Sequence, residues 1–119
     1  MAAGNPSTIG TGTEVLRRRF VHENNNTSTA LITGEANHIY TVISVVVCEM
    51  AGNAETFSLY IDPDTGTDNV NLLNEQPLSG KATFVFSDKV VIANTDIFYV
   101  WSSAGNIDVY CTYIDQDWT

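Results

Sequence analysis

The sequence predicts an all-β fold: a single two-sheet sandwich or jelly roll of about seven to eight short antiparallel strands with an extended N-terminal arm. Three observations carry this. β-Branched residues crowd into short runs, most densely at Ile39, Thr41, Val42, Ile43, Val45, Val46 and Val47, where branching at Cβ suits a pleated surface. Clusters of Gly, Asn, Asp, Ser and Pro interrupt those runs and supply turns. Nowhere do apolar residues recur at helical spacing between caps.

Residues 1–28 are expected to form the arm and residues 29–119 the sandwich. The segment from Met1 to Thr13 is mostly small and polar, with Ile9 its single branched aliphatic residue, and cannot pack a core. From Glu14 to His22 the chain alternates weakly. Val15, Arg17, Arg19 and Val21 fall on one side; Leu16, Arg18, Phe20 and His22 fall on the other. A strand using both faces and a continuation of the arm both fit. The run Asn24-Asn25-Asn26-Thr27-Ser28-Thr29 breaks any regular element.

Ala30 to Thr33 is a short strand, turned by Gly34-Glu35-Ala36-Asn37. His38 to Met50 is the longest strand. It is apolar on both faces, as in a central strand or one with its core face opposite a partner. Ala51-Gly52-Asn53 leads into Glu55 to Ile61, where Phe57, Leu59 and Ile61 alternate with Thr56, Ser58 and Tyr60. The acidic loop from Asp62 to Asn69 opens a long connection with only short apolar touches at Val70 to Leu73 and Pro77-Leu78. Ala82 to Phe86 and Val90 to Ile92 flank Ser87-Asp88-Lys89. After the turn at Ala93 to Asp96, the strand Ile97 to Ser102 is expected to form a hairpin through Ala104-Gly105-Asn106 with Ile107 to Ile114. There Ile107, Val109, Cys111 and Tyr113 share one face.

At 119 residues the chain has room for one core. The net charge of −9 is unevenly spread. Residues 1–28 carry three Arg against Glu14 and Glu23, a net of +1, whereas residues 29–119 carry two Lys against twelve acids, a net of −10. So acidic a body repels phosphate backbones and anionic membrane surfaces, which argues against nucleic-acid and membrane partners. The start Met-Ala-Ala-Gly-Asn-Pro lacks the basic and apolar regions of a signal peptide. The longest apolar run, Ile43 to Cys48, is too short to span a bilayer. Cys48 and Cys111 are too few for a disulfide framework; each sits in an apolar run where a free thiol is a small buried hydrophobe, and a Cys48–Cys111 disulfide is the alternative.

Catalysis needs converging acid, base and nucleophile. His22 and His38 belong to no ligand-spaced cluster, and no HxH, HExxH, CxxC or GxSxG occurs. No catalytic residue, metal site or cofactor is expected. In the loop holding Asp62, Asp64 and Asp68, Gly66 stands where a calcium loop of EF-hand type needs its third ligand and Leu73 where it needs the final acid. A solvated turn is the expectation, with an irregular cation site at Asp62, Asp64 and Asp68 as the alternative. Asn25 and Asn26 begin glycosylation sequons, which without an export signal are accidental. The sharpest feature is Arg17-Arg18-Arg19, where planar guanidinium forks suit an acidic protein surface. With Phe20 and the near-terminal Trp118, these are the candidate partner contacts. Trp101, inside a strand, is assigned to the core.

From Ala30 to Asp115 the chain resembles a family of small β-sandwich virion structural proteins of tailed bacteriophages. The resemblance lies in Leu31-Ile32-Thr33, then a Gly turn, the strand ending Val46-Val47-Cys48, and the Ala54 to Phe57 strand. It continues through Pro77-Leu78, Thr83-Phe84, a turn ending in Asp96, and the strands Ile97 to Ser102 and Asn106 to Ile114. It leaves residues 1–29 unmatched and carries over no catalytic residue.

The resemblance implies a non-enzymatic virion protein assembled in the host cytoplasm, first of all a capsid decoration or cement protein. Its partners would be the major capsid protein or other virion proteins, and it would be a homo-oligomer with a trimer as the favoured order. A tail, baseplate or fibre component is the alternative. A glycan-binding sandwich would want exposed aromatics on loops, whereas Tyr60, Trp101 and Tyr110 fall on strands. If the arm alone docks, deleting residues 1–22 leaves a folded domain that no longer binds shells.

Overall fold

The structure, a computed structural model, describes residues 13–64, 66 and 68–118. These form nine strands: β1 (Thr13–Glu23), β2 (Ser28–Thr33), β3 (His38–Glu49), β4 (Glu55–Asp62), β5 (Val70–Leu78), β6 (Thr83–Phe86), β7 (Val90–Ala93), β8 (Ile97–Ser102) and β9 (Ile107–Asp117). Sheet A has the order β1-β9-β3-β6, with β7 also on β3; sheet B has the order β2-β8-β4-β5. All pairings are antiparallel. β6 and β7 act as one interrupted strand. They flank Val45–Cys48 and Ile39–Val42 on the same edge of β3, and the gap between them faces the β3 bulge at Val42/Ser44. Apart from β4–β5 and β6–β7, every connection crosses from one sheet to the other. That is the strand order of a jelly roll.

The core lies between the sheets. Val42, Val45 and Val47 of β3 and Ile107, Val109 and Cys111 of β9 face Phe57 and Leu59 of β4 and Phe98 and Val100 of β8, with Leu31, Ile32 and Ile92 closing the layer. Each such side chain contributes about 1.5–3 kcal/mol by leaving water. The face shared by Ile107, Val109 and Cys111 is the buried one, as the alternation predicts. Cys48 lies on the solvent side of the same sheet, so the thiols occupy opposite faces and both are free. Burial pushes the Cys111 thiol up to about 12, which leaves it protonated and inert.

Four sequence expectations change. Residues 13–23 belong to the sandwich: β1 pairs with β9 without a break from Thr13↔Asp117 to Glu23↔Ile107, so the sheets begin well before residue 29. Its alternation is weak because both faces carry charged residues. The expected arm N-terminal to residue 13 lies outside the described residues. The long connection after Asp62 contains β5, whose alternation is scrambled by register shifts against β4 and by a left-handed Glu75 (φ 51°). Third, β8 and β9 form no hairpin, because they lie in different sheets. Gly105 (φ 78°) and Asn106 (φ 66°) serve that crossing as they would serve a tight turn. Finally, Trp101 lies on the outer face of sheet B, half-buried, and Nε1 donates to the Asn26 carbonyl at 3.2 Å.

Candidate assembly face

β1 divides the arginine triplet by simple alternation. Arg17 and Arg19 share the side of sheet A that faces sheet B, and Arg18 points outward. Arg17 Nε donates to Asp115 Oδ2 at 2.8 Å, and Arg19 Nε donates to the Ala30 carbonyl at 2.9 Å, bridging to sheet B. The other Asp115 oxygen bonds His38 Nδ1 at 2.7 Å. One buried carboxylate thus links β1, β9 and β3. The hydrogen bond to Asp115 raises His38 above its ordinary value, against the opposing effect of burial. Two of the three arginines therefore hold β1 to its own body. Arg18 lies 5.2 Å above the Phe20 ring, which stacks on Tyr110 at 6.2 Å. Trp118 is exposed just past β9, anchored by its backbone N–H to Asn37 O at 2.9 Å.

The outer face of sheet A is built in cross-strand rows. Phe20, Tyr110, Val46 and Val85 form one apolar row across β1, β9, β3 and β6. Leu16, Ile114, Thr41 and Val91 form a second across β1, β9, β3 and β7. Arg18, Thr112 and Ser44 lie between them, with Ile43 exposed at the bulge. Leu16 is 68% exposed, Phe20 62%, Val85 58% and Val91 57%. Scattered apolar residues are ordinary on a surface, but rows like these make this face a candidate contact surface. His22 and Asp108, hydrogen-bonded to each other, rim the face. Sequence reasoning singled out Phe20 and missed Leu16, Val85 and Val91. The signal was the doubly apolar pattern of His38 to Met50, which offered a partner on the second face.

The outer face of sheet B is different. Tyr60 and Tyr99 stack at 5.1 Å, Trp101 follows on β8, and Tyr60 Oη donates to Ser28 Oγ at 2.5 Å. All three aromatics are half-buried.

One pair of carboxylates has opposed acidities. Burial would raise Glu49, but backbone N–H donors from Lys81, Gly52 and Ala51 outweigh it and hold the group low. Glu55 is raised by burial and by its hydrogen bond to Glu49. Opposed shifts of this kind can equip an acid and a base. Here both groups are sealed, Glu49 at 1% and Glu55 at 8% exposure, and Glu49 is spent stapling the loops after β3 and before β6. Among the described residues, no three His, Cys, Asp or Glu side chains come together as a metal site.

No protein-family model and no curated protein matches the sequence. Among solved structures, the chain is similar to Bacillus endospore appendages, a novel family of disulfide-linked pili, at 12% identity and a TM-score of 0.52, over 91% of this chain and 90% of that one. It also matches the acidic stable capsid of Helicobacter pylori bacteriophage KHP30, at 14% identity and a TM-score of 0.49, over 88% and 92% of the two chains. A pentameric capsid protein isolated from metagenomic phage sequences matches at 16% identity and a TM-score of 0.45, over 86% of this chain and 60% of that one. Identities this low speak to fold alone. The chain is an all-β sandwich of two antiparallel sheets.

Proposed function

We propose that this chain is a non-enzymatic virion structural protein, a capsid decoration or cement protein that seats the outer face of sheet A on a shell. The observation that carries the reading is that face, with two cross-strand rows ending in the exposed Leu16, Phe20, Val85 and Val91. A surface of this kind gains free energy by being covered. The resemblance of Ala30 to Asp115 to phage virion sandwiches supplies the setting. Many copies, each with modest contacts, add up to a shell that opens at higher temperature. The partner is the major capsid protein or another virion protein, and Arg18 and Trp118 are the polar and aromatic contacts at the rim. The test is sedimentation of purified shells with the protein and with Phe20→Ser/Val85→Ser. The parent is expected to co-sediment in hundreds of copies per shell, roughly as multivalent shell binding requires, and the double variant to stay in the supernatant. Equal binding by both excludes this face. A dozen copies or fewer places the protein in a tail or baseplate instead.

The aromatic outer face of sheet B favours a second reading, glycan binding. Tyr60, Tyr99 and Trp101 form a partly exposed platform on the strands. Absence of any hit on a glycan array discards it.

A further inference from the structure

Every open sheet has edges whose unpaired N–H and C=O groups can template another strand, and proteins blunt them with short strands, bulges, proline or charged side chains. Three of the edges here are blunted. β2 has six residues and a bulge at Ala30/Ile32. β5 carries register shifts, the left-handed Glu75 and Pro77. β6 and β7 have four residues each. β1 has no break, bulge or proline; its protection is charge alone, with Arg17 and Arg19 turned inward and the outward Glu14 and Arg18 opposite in sign. It runs eleven residues, Thr13–Glu23, in unbroken register, with neither Pro nor Gly, and its first eight residues are exposed. No described strand lies on its outer side.

We propose that β1 pairs antiparallel with β1 of a second copy of this chain, about a two-fold axis perpendicular to sheet A and passing beside Leu16. Such an axis preserves the faces, so only same-face residues can stand opposite each other. Full overlap, centred on Arg18, sets Arg18 against itself and Arg17 against Arg19 of the second copy. Like charges directly opposite are destabilising. Centring on Phe20 sets Arg18 against His22 and relies on Arg17 and Glu23, already committed to Asp115 and Thr29. Centring on Leu16 places Glu14 opposite Arg18 of the second copy, twice by symmetry. Both are exposed; Glu14 accepts from Gln116 Nε2 at 2.9 Å through one oxygen, and among the described residues neither Glu14 nor Arg18 has an ion pair of its own. Leu16, the most exposed large hydrophobic among the described residues, meets its own copy at the axis. The row Leu16-Ile114-Thr41-Val91 then runs on into the same row of the second copy, making one continuous outer face.

The inference concerns the isolated full-length protein and does not rest on a virion setting. Sedimentation equilibrium over a concentration series, with circular dichroism and melting as checks on folding, tests it. The parent is expected to dimerise. Glu14→Arg and Arg18→Glu should each weaken dimerisation by at least about tenfold, from two attractive pairs made repulsive, and the double exchange Glu14→Arg/Arg18→Glu should restore it. Leu16→Lys, at an exposed site, should give a folded monomer, whereas Val85→Ser at the opposite edge should leave the dimer intact. A parent that is monomeric or trimeric at every concentration overturns the proposal. So does a dimer that ignores Leu16→Lys, or one that the double exchange fails to rescue.

Discussion

Asp115 accepts from Arg17 with one oxygen and meets His38 with the other, so three strands depend on a single carboxylate. Replacing it with Asn strips Arg17 of its counter-charge and leaves His38 only the longer contact to Asp117 at 3.7 Å. Asp115→Asn is expected to cost about 1.5–3 kcal/mol, read from urea unfolding. The same contact makes stability depend on pH. His38 is raised in the folded state, so its stabilisation is complete below the ordinary value of 6.5 and is lost as pH rises through the higher folded value. The parent should therefore lose its advantage over His38→Gln on going from about pH 6 to pH 9; parallel stability curves would contradict this. A backbone constraint acts at Gly34, where an added Cβ would lie 2.1 Å from Asn94 O and 2.5 Å from Asp96 O. Gly34→Ala should cost about 2 kcal/mol through displaced backbone, seen as a lower melting temperature.

At the scale of elements, β1 changes what a truncation does. Deleting residues 1–22 removes the strand that pairs with all of β9, takes Val21 off the core and leaves Asp115 without Arg17. The truncated protein is expected to melt at a lower temperature and aggregate through the bared edge of β9, as light scattering on heating would register. An unchanged melting curve would return β1 to the role of an arm. Strands with one buried face were legible in the sequence: His38 to Met50, Glu55 to Ile61 and Ile107 to Ile114 all lie within or across β3, β4 and β9. β1 and β5 were not. Both are edge strands with little apolar alternation, held by backbone pairing and by charged or bulged contacts that a hydrophobic period does not record.

As a whole, the molecule has two unlike outer faces on one core. Sheet A shows aliphatic rows and Phe20; sheet B shows stacked tyrosines and Trp101. Phe20→Ser/Val85→Ser alters exposed positions and should cost about 1 kcal/mol or less per site, Phe20 losing its stack on Tyr110, so loss of shell binding by a variant with a near-parental melting curve reports on contact. The net charge of −9 makes copies repel one another. A contact between copies must therefore bring its own attraction, which in the proposed dimer comes from Glu14 and Arg18 on β1.

The sequence by itself determined the all-β class, the turn positions and the buried face of β9, because these follow from local sterics and the two-residue period of a strand. Only the tertiary structure decided which sheet each strand joins, that Arg17 and Arg19 turn back onto their own body, and that Leu16 and Val91 end one row across sheet A. Those are facts of register between residues far apart in the chain. Pairing partners are chosen by the packing of the whole sandwich, and no local pattern encodes them.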